Sequence, residues 1–354
     1  MSYATLEDIA KKAQKSIATV SRVLNGKASQ GIPISEATIE QIMGIARELN
    51  YRPNFLAKNL VERDSRVVGL VVPDIMQSFF NEICYHLSQE LSRAGYDLIL
   101  CHSYEDPDLE QHSIEMLLSR RVSGILLAPV AGQKNAKALQ DIQRRGIPLI
   151  LIDRYHSAGD FCSIVTEDVE GFYSLTEHLV KQGARRILFI AGNRETSVSI
   201  ERIQGYTRAL EDHGIELHED LIRESGYFME DGYAITRDCI QDGTARGLDA
   251  IAAVNDAVAL GVLRALEEGG LRVPEDMLVG GYANDRYSDY FKVPLTTVDQ
   301  PKQSIAHESF AMLMRLIRGE ELPERSVRIP CSLVVRRSTM HVMGARDGQM
   351  HDRP

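Results

Sequence analysis

Apolar residues recur at helical spacing through the first fifty positions and then, from Arg66, gather into short continuous runs separated by amphipathic stretches. Leu6, Ile9, Ala10 and Ala13 share one helical face, and Val20, Val23 and Leu24 share another after a break at Ala13 to Ser16. Thr5 and Asp8 have capping-box spacing, Ser16 is placed as an N-cap, and Asn25-Gly26 offers a left-handed stop. Two short helices joined by a four-residue turn are therefore expected. A third opens at Ser35, its stripe of Ile39, Ile42, Met43, Ala46 and Leu49 closing a small core over the first two. Ala18, Ser21 and Arg22 point outward on the second helix, which makes the pair a helix-turn-helix suited to a DNA major groove. Ala18 is small enough to let a backbone approach base edges, and Arg22 carries the planar fork that matches guanine.

Asn50-Tyr51-Arg52-Pro53 ends the third helix, because a residue before proline is pushed out of helical geometry. The seven residues from Asn54 to Leu60 could form two turns but are too short to hold them alone. Beyond Arg66 the pattern predicts strands over 67–72, 97–101, 124–128 and 148–153, with helices over 80–94, 109–120 and 136–145 between them. A second series starts near Phe161: helix 169–182, strand 186–191, helices 200–213 and 232–241, strand 250–255, helix 256–267, strand 277–282, helix 301–318 and strand 332–335. Val67 to Val72 is apolar throughout, as in parallel strands covered on both faces. The fold class is α/β: an all-α helix-turn-helix head with a short linker after it, then two Rossmann-like parallel-sheet subdomains.

A chain of 354 residues exceeds one typical core. It has no run of 18 apolar residues and no charged-then-apolar leader, so a cytoplasmic protein with no membrane partner is expected. Five scattered cysteines without a C-x-x-C pair support neither a disulfide framework nor a zinc site, and no other cofactor is indicated. The net charge of -10 conceals an asymmetry: residues 1–65 hold nine Lys/Arg against seven Asp/Glu, and the remainder 31 against 43. Lys11, Lys12, Lys15 and Arg22 cluster at the helix-turn-helix, where phosphate contacts would position it.

The text TLEDIA followed by ATVSRVLNG closely resembles the head of the lactose/galactose repressor family of bacterial transcriptional regulators, and VVPDI, VNDAVALG, LTTVDQP and LVVRRST extend the resemblance over nearly the whole chain. One departure is Gln14 where the tight turn usually has glycine; another is a loop from Lys27 to Ile34 a few residues longer than usual. The resemblance implies DNA contacts from Thr5, Ser16, Ile17, Ala18, Thr19, Ser21, Arg22, Asn25 and Tyr51. It implies that the linker is a hinge helix in which Asn54 lies near the DNA backbone, Ala57 lets paired hinge helices approach, and Leu60 wedges open a base step. It also implies a body like the type-I periplasmic sugar-binding proteins, crossed between lobes near Thr166, Val298 and Pro330. The expected domains are then 1–52 (head), 53–65 (hinge), 66–343 (body, with subdomains 66–165 plus 299–329 and 166–298 plus 330–343) and 344–354 (tail). The last fifteen residues lack leucine heptads, so a homodimer on a palindromic double-stranded operator is expected.

Ligands of open α/β sheets bind beyond the carboxyl ends of the strands, which nominates Asp74, Gln77, Phe79, Phe80, Asp153-Arg154, Asn255-Asp256 and Tyr282-Ala283-Asn284. By resemblance Arg202, in R-x-x-G, reaches effector oxygens, while Asp153, Asn255 and Gln300 line the pocket and Phe79 and Phe80 form an apolar platform. Ala283 stands where sugar-binding members carry an aspartate, leaving Asn284, Asp285 or Tyr287 as substitutes. A small, sugar-like effector acting on a dimeric repressor is the expectation. The alternative is a solute-binding protein or sugar-modifying enzyme with an N-terminal docking domain. No G-x-S-x-G, G-x-x-x-x-G-K-[ST], H-E-x-x-H or G-x-G-x-x-G after a strand supports an enzyme.

Overall fold

The computed structural model describes residues 4–25, 28, 33–51, 65–132, 134–157 and 159–340; Asn54, Ala57, Leu60, Gly26, most of the long loop after it and the tail lie outside these. The chain divides into two compact units, residues 1–65 and 66–354.

In the first unit, α1 (Leu6–Ala13), α2 (Ile17–Leu24) and α3 (Glu36–Glu48) enclose Ile9, Ala10, Ala13, Val20, Val23, Ile42 and Ala46. The start of α1 is a reciprocal cap: Asp8 N–H donates to the Thr5 hydroxyl at 3.2 Å, and Thr5 N–H donates to Asp8 Oδ2 at 2.8 Å. Ser16 Oγ accepts from Thr19 N–H at 3.1 Å and opens α2. Gln14 itself takes the left-handed turn between them, with φ 54°. Asn25 closes α2 at φ -94°, and Gly26, the other half of the expected left-handed stop, lies outside the described residues. One detail differs from the sequence expectation. Met43 is 42% exposed because it lies about 100° around the helix from Ile42; Ile45, nearer the stripe, packs on the core instead.

The second unit alternates strands and helices. Its elements are β1 (Val67–Val72), α4 (Ser78–Arg93), β2 (Asp97–His102), α5 (Pro107–Ser119), β3 (Gly124–Leu127), α6 (Ala136–Arg144), β4 (Leu149–Ile152) and β5 (Cys162–Thr166). There follow α7 (Asp168–Lys181), β6 (Ile187–Ala191), α8 (Ser197–Asp212), β7 (Ile222–Glu224), α9 (Met229–Gln241), β8 (Ala250–Ala253), α10 (Asp256–Glu268) and β9 (Leu278–Ala283). Last come β10 (Thr296–Asp299), α11 (Lys302–Ile317), β11 (Ser326–Ile329) and β12 (Ser332–Val334). They build two six-stranded sheets, ordered β11-β5-β4-β3-β1-β2 and β12-β10-β9-β8-β6-β7. The first is parallel throughout, and in the second only β12 runs antiparallel, against β10.

Four strands were not among those expected: β5, a buried five-residue run, and β7, β10 and β11, which escape the sequence pattern altogether. The last three are three or four residues long and carry Arg, Glu, Thr, Asp or Ser, so no apolar run marks them; pairing with the neighbouring strand creates them. The chain passes between the sheets three times, after β5, after β10 and between β11 and β12. Each lobe is thereby built from discontinuous segments. Two helix pairs in the second lobe approach closely through glycine: a Cβ on Gly205 of α8 would lie 2.3 Å from the Val169 carbonyl of α7, and one on Gly261 of α10 would lie 1.9 Å from the Met229 carbonyl of α9.

Replacing Gly205 by Ala is expected to destabilise the second unit by about 1–3 kcal/mol, since rigid backbone must move; an unchanged urea midpoint would show that the helices can separate freely. Gln14→Gly is expected to stabilise the first unit by about 1 kcal/mol by relieving the left-handed conformation, and a lower melting temperature would refute that strain.

Candidate functional site

On the outer side of α2 the structure places Ile17, 50% exposed, beside exposed Ala18. Ser16 and Thr19 share a hydroxyl hydrogen bond of 2.9 Å while Ser16 also caps the helix, and Asn25 Nδ2 donates to Ser21 Oγ at 3.1 Å. Arg22 is half-buried, its Nη2 donating to the Ala28 carbonyl at 3.4 Å, so it does not extend freely outward as the pattern suggested. Tyr51 packs on the head core, and the Thr5 hydroxyl is occupied in its cap. The result is a small, apolar-and-hydroxyl helix face with exposed Lys11, Lys12 and Lys15 nearby. Lys11 pairs with Glu7 at 3.1 Å and Lys12 with Glu48 at 2.6 Å, both exposed and weak enough to exchange for phosphates.

A second concentration of polar chemistry lies where the strand ends of the two lobes meet. Left-handed backbone at non-glycine residues gathers there: Tyr104 and Glu105 after β2, Asp153 after β4, and Ala283 and Asn284 at the end of β9. Such conformations are held at a cost and are characteristic of binding sites. From α8, Arg202 is 4% exposed; its Nε donates to Asp168 Oδ1 at 3.0 Å, its Nη1 to the Val254 carbonyl at 2.7 Å, and its plane lies 3.9 Å from the Tyr282 ring centroid. Tyr282 is itself the end of an aromatic column, 5.9 Å from Phe172, which stands 4.2 Å from Phe189. The arginine therefore rests on the core of its lobe.

Facing it from the first lobe, Arg154 makes a forked ion pair with Glu105 at 2.7 and 2.9 Å and lies 5.3 Å from the ring centroid of Tyr227 in the second lobe. Tyr155 N–H donates to Ser197 Oγ at 3.1 Å, and Arg328 of β11 grips Glu201 of α8 through two bonds of 2.7 and 3.0 Å. These contacts tie the lobes together along one edge. Burial pushes the Asp153 carboxyl up to about 6, against the pull of Arg154, and also raises Asp168.

The other nominated residues divide. Gln300, 2% exposed, donates through Nε2 to the Thr166 hydroxyl at 3.0 Å and joins two crossing segments. Asn255 acts as the N-cap of α10, accepting from Val258 N–H at 2.8 Å, while its Nδ2 reaches the Tyr227 carbonyl at 2.9 Å. Asn284 is held by Asp299 and Arg336, each at 2.9 Å. Asp256 is fully buried inside the second lobe, accepting from the Thr297 hydroxyl at 2.6 Å, Asp285 N–H at 2.7 Å and the Ser288 hydroxyl; it clamps the turn after β9. Burial raises it to about 6 and the neighbouring Asp285 to about 7. Phe79 and Phe80 pack edge-to-face at 5.1 Å within the first lobe's core, touching the cluster that includes Ala283. Asp74 accepts from Met76 N–H at 2.8 Å in its own loop, and Gln77 begins α4 without a side-chain cap bond.

Asp168, Glu105, Tyr227 and the Glu201–Arg328 pair were not singled out from sequence. Asp168 and Glu105 each follow a strand and precede a helix, the signal that nominated Asn255, so they could have been found; Tyr227 and the Glu201–Arg328 pair depend on contacts across the lobes. Among the described residues no group of His, Cys, Asp and Glu is placed to hold a metal ion, and no helix is long and apolar enough to cross a membrane.

Comparison with known proteins agrees with this geometry. The model of the periplasmic binding proteins and sugar binding domain of the LacI family matches residues 65–337, and that of the bacterial regulatory proteins of the lacI family matches residues 5–54. The chain is 33% identical to the transcriptional repressor PurR of Vibrio vulnificus over 333 residues, covering 94% of this chain and 98% of the relative. It is 30% identical to the transcriptional regulator DegA of Bacillus subtilis over 341 residues, covering 95% and 98%. Among solved structures, the Lac repressor dimer bound to operator and the anti-inducer ONPF superposes with a TM-score of 0.84 at 27% identity, covering 96% of this chain and all of that one. A helix-turn-helix head before a two-lobed body with a buried arginine at the lobe junction, matched over nearly its whole length, places this chain in the LacI family of bacterial regulatory proteins.

Proposed function

We propose that the protein is a transcriptional repressor that binds a palindromic operator as a homodimer and is controlled by a small, polar effector held between the lobes. The observation that carries the effector half is the buried Arg202–Asp168–Tyr282 assembly facing Asp153 and Arg154 at the strand ends. A guanidinium stacked on an aromatic ring and oriented by a carboxylate is a preorganised donor for ligand oxygens. The DNA half is supported by the α1–α2 geometry, by exposed Ile17 and Ala18, and by relatives named as repressors and regulators. Thr5, Ser16, Thr19, Ser21, Asn25 and Tyr51 then position or contact the duplex around Arg22, which must leave the Ala28 carbonyl to read a base. Asn54, Ala57 and Leu60 complete the grip in the hinge.

Effector binding acts by changing lobe closure, because Arg328–Glu201, Tyr155–Ser197 and Arg154–Tyr227 all span the lobes and cannot persist through an opening motion. The repressor reading places the protein in the bacterial cytoplasm with its DNA and assigns it no catalytic activity. The solute-binding or enzymatic alternative is not favoured, since the head matches the bacterial regulatory proteins of the lacI family and relatives covering 94–95% of this chain are named as a repressor and a regulator.

Footprinting and gel shifts on the duplex upstream of the protein's own gene, with and without effector, test the whole reading; absence of any protected palindrome at moderate salt would sink it. Arg22→Ala is expected to cost about 1–3 kcal/mol at a single operator position and to relax base preference there, as read by binding-site selection. Arg202→Ala is expected to abolish the effector response while DNA binding persists; a retained response would move the site elsewhere. Effector affinity is expected to fall as pH drops through about 6, where Asp153 gains a proton and loses its capacity as a charged acceptor. A flat calorimetric profile between pH 8 and 5 would remove Asp153 from the site.

A further inference from the structure

Each of the first lobe's four helices ends in, or is followed by, arginine. Arg93 closes α4, Arg120 and Arg121 follow α5, Arg144 and Arg145 end α6, and Arg318 follows α11. Each helix leads into a parallel strand, so these ends lie along the row of strand starts. Backbone bonds fix that row: Asp97 N–H donates to the Arg66 carbonyl at 2.8 Å, Ser123 N–H to the Val67 carbonyl at 2.7 Å, and Ser163 N–H to the Arg325 carbonyl at 2.8 Å. Helices α5 and α6 cover one side of the sheet and α4 and α11 the other, so arginines flank the row on both sides. Arg144 pairs with Asp141, Arg318 with Glu320 at 3.5 Å and Arg325 with Asp160 at 3.2 Å. Arg93, Arg120, Arg121 and Arg145 are exposed and have no acidic partner among the described residues, although Asp97, Glu321 and Glu324 lie on the same edge. Helix dipoles favour cations at helix ends, but they do not explain this edge. In the second lobe, built on the same plan, α8 ends at Asp212, α9 is followed by Asp242, and α10 ends at Glu267-Glu268. The basic edge is therefore particular to the first lobe, inside a body that holds 31 Lys/Arg against 43 Asp/Glu.

We propose that this edge is a second DNA surface, which grips backbone phosphates beside the operator without reading their sequence. This rests on the reading of the head as an operator binder. The chain enters the first lobe at this edge, through Arg66, and the thirteen residues 52–64 tether it to the head. Such a tether spans at most roughly 45 Å, about thirteen base pairs of duplex, so DNA held by the head lies within reach of the arginines. Arginine suits the task because its forked N–H donors match phosphate oxygens, and a guanidinium with no acid to leave engages them without breaking an ion pair. Contacts of this kind add affinity and salt dependence but no base preference, which leaves selectivity to α2.

The test uses the full chain and two duplexes carrying the palindrome found by footprinting. One ends flush with the protected bases; the other is extended on both sides by roughly fifteen base pairs of arbitrary sequence, to match the reach of the tether. Fluorescence anisotropy over a salt series reads both. The extended duplex is expected to bind roughly tenfold more tightly at low salt, with a slope of log affinity on log salt steeper by about 3. The triple variant Arg93→Gln/Arg121→Gln/Arg145→Gln is expected to bind the flush duplex as the unmodified protein does and to gain nothing from the extension, with an unchanged urea midpoint. Equal affinity of the unmodified protein for the two duplexes overturns the inference, as does an advantage that the variant keeps or that varies with the flanking sequence. A variant that keeps the advantage but loses retention on immobilised polyglutamate would assign the edge to an acidic protein instead. If neither duplex binds, the operator reading itself fails; if only the extension brings nothing, this edge alone does.

Discussion

An arginine and an aspartate withdrawn from water together lose most of their hydration, and Arg202 and Asp168 recover it from each other, from the Val254 carbonyl and from the face of Tyr282. Removing either partner would leave a buried charge uncompensated, a far larger penalty than the pair's own net contribution. The surrounding architecture follows from that constraint. The aromatic column Tyr282–Phe172–Phe189 gives the guanidinium a rigid bed, and the close approach of α7 and α8 at Gly205 brings Asp168 and Arg202 into register. The buried pair is thus positioned by helix packing and not by a flexible loop.

The threefold crossing between the sheets makes this arrangement responsive. Asp168 starts the first helix after one crossing, Gln300 lies at the second, and Arg328 immediately precedes the third. Contacts that join the lobes, such as Arg328–Glu201 and Tyr155–Ser197, lie beside Arg202, whose own partners are within its lobe. Sheets packed as tightly as these move as rigid layers, which leaves the crossings to absorb the change.

The head works by a different balance. Its core is small, comprising seven buried apolar residues among those described, and its helix ends are held by the Thr5–Asp8 and Ser16–Thr19 caps. Several of its polar contacts lie at the surface: Arg22 to Ala28, Asn25 to Ser21, and the exposed Lys12–Glu48 pair between α1 and α3. Bonds of this kind at a solvated surface can be exchanged for phosphate and base contacts at little net cost, which suits a surface that must let go of its own contacts to engage a partner.

Local sequence alone determined much of this protein. The two caps, the helix stripes, the run Val67–Val72 and the alternation of elements were legible because periodicity, capping chemistry and turn chemistry act over a few residues. The head motif was legible as a pattern contiguous in the chain, and Arg202 was nominated through the resemblance of its R-x-x-G to the family's. Tertiary structure decided what depended on distant partners. Strands β7, β10 and β11 exist because a sheet edge or neighbour accepts them, and Gln14 holds a left-handed turn because the helices on either side impose it. Asp256 proved an internal clamp and Phe80 a core residue, whereas Glu105, Tyr227 and Glu201 entered the lobe junction from separate segments. Position after a strand shows that a side chain can reach the cleft. Whether it is free to act there depends on the hydrogen bonds the folded chain has already claimed, and those partners are tens to hundreds of residues away.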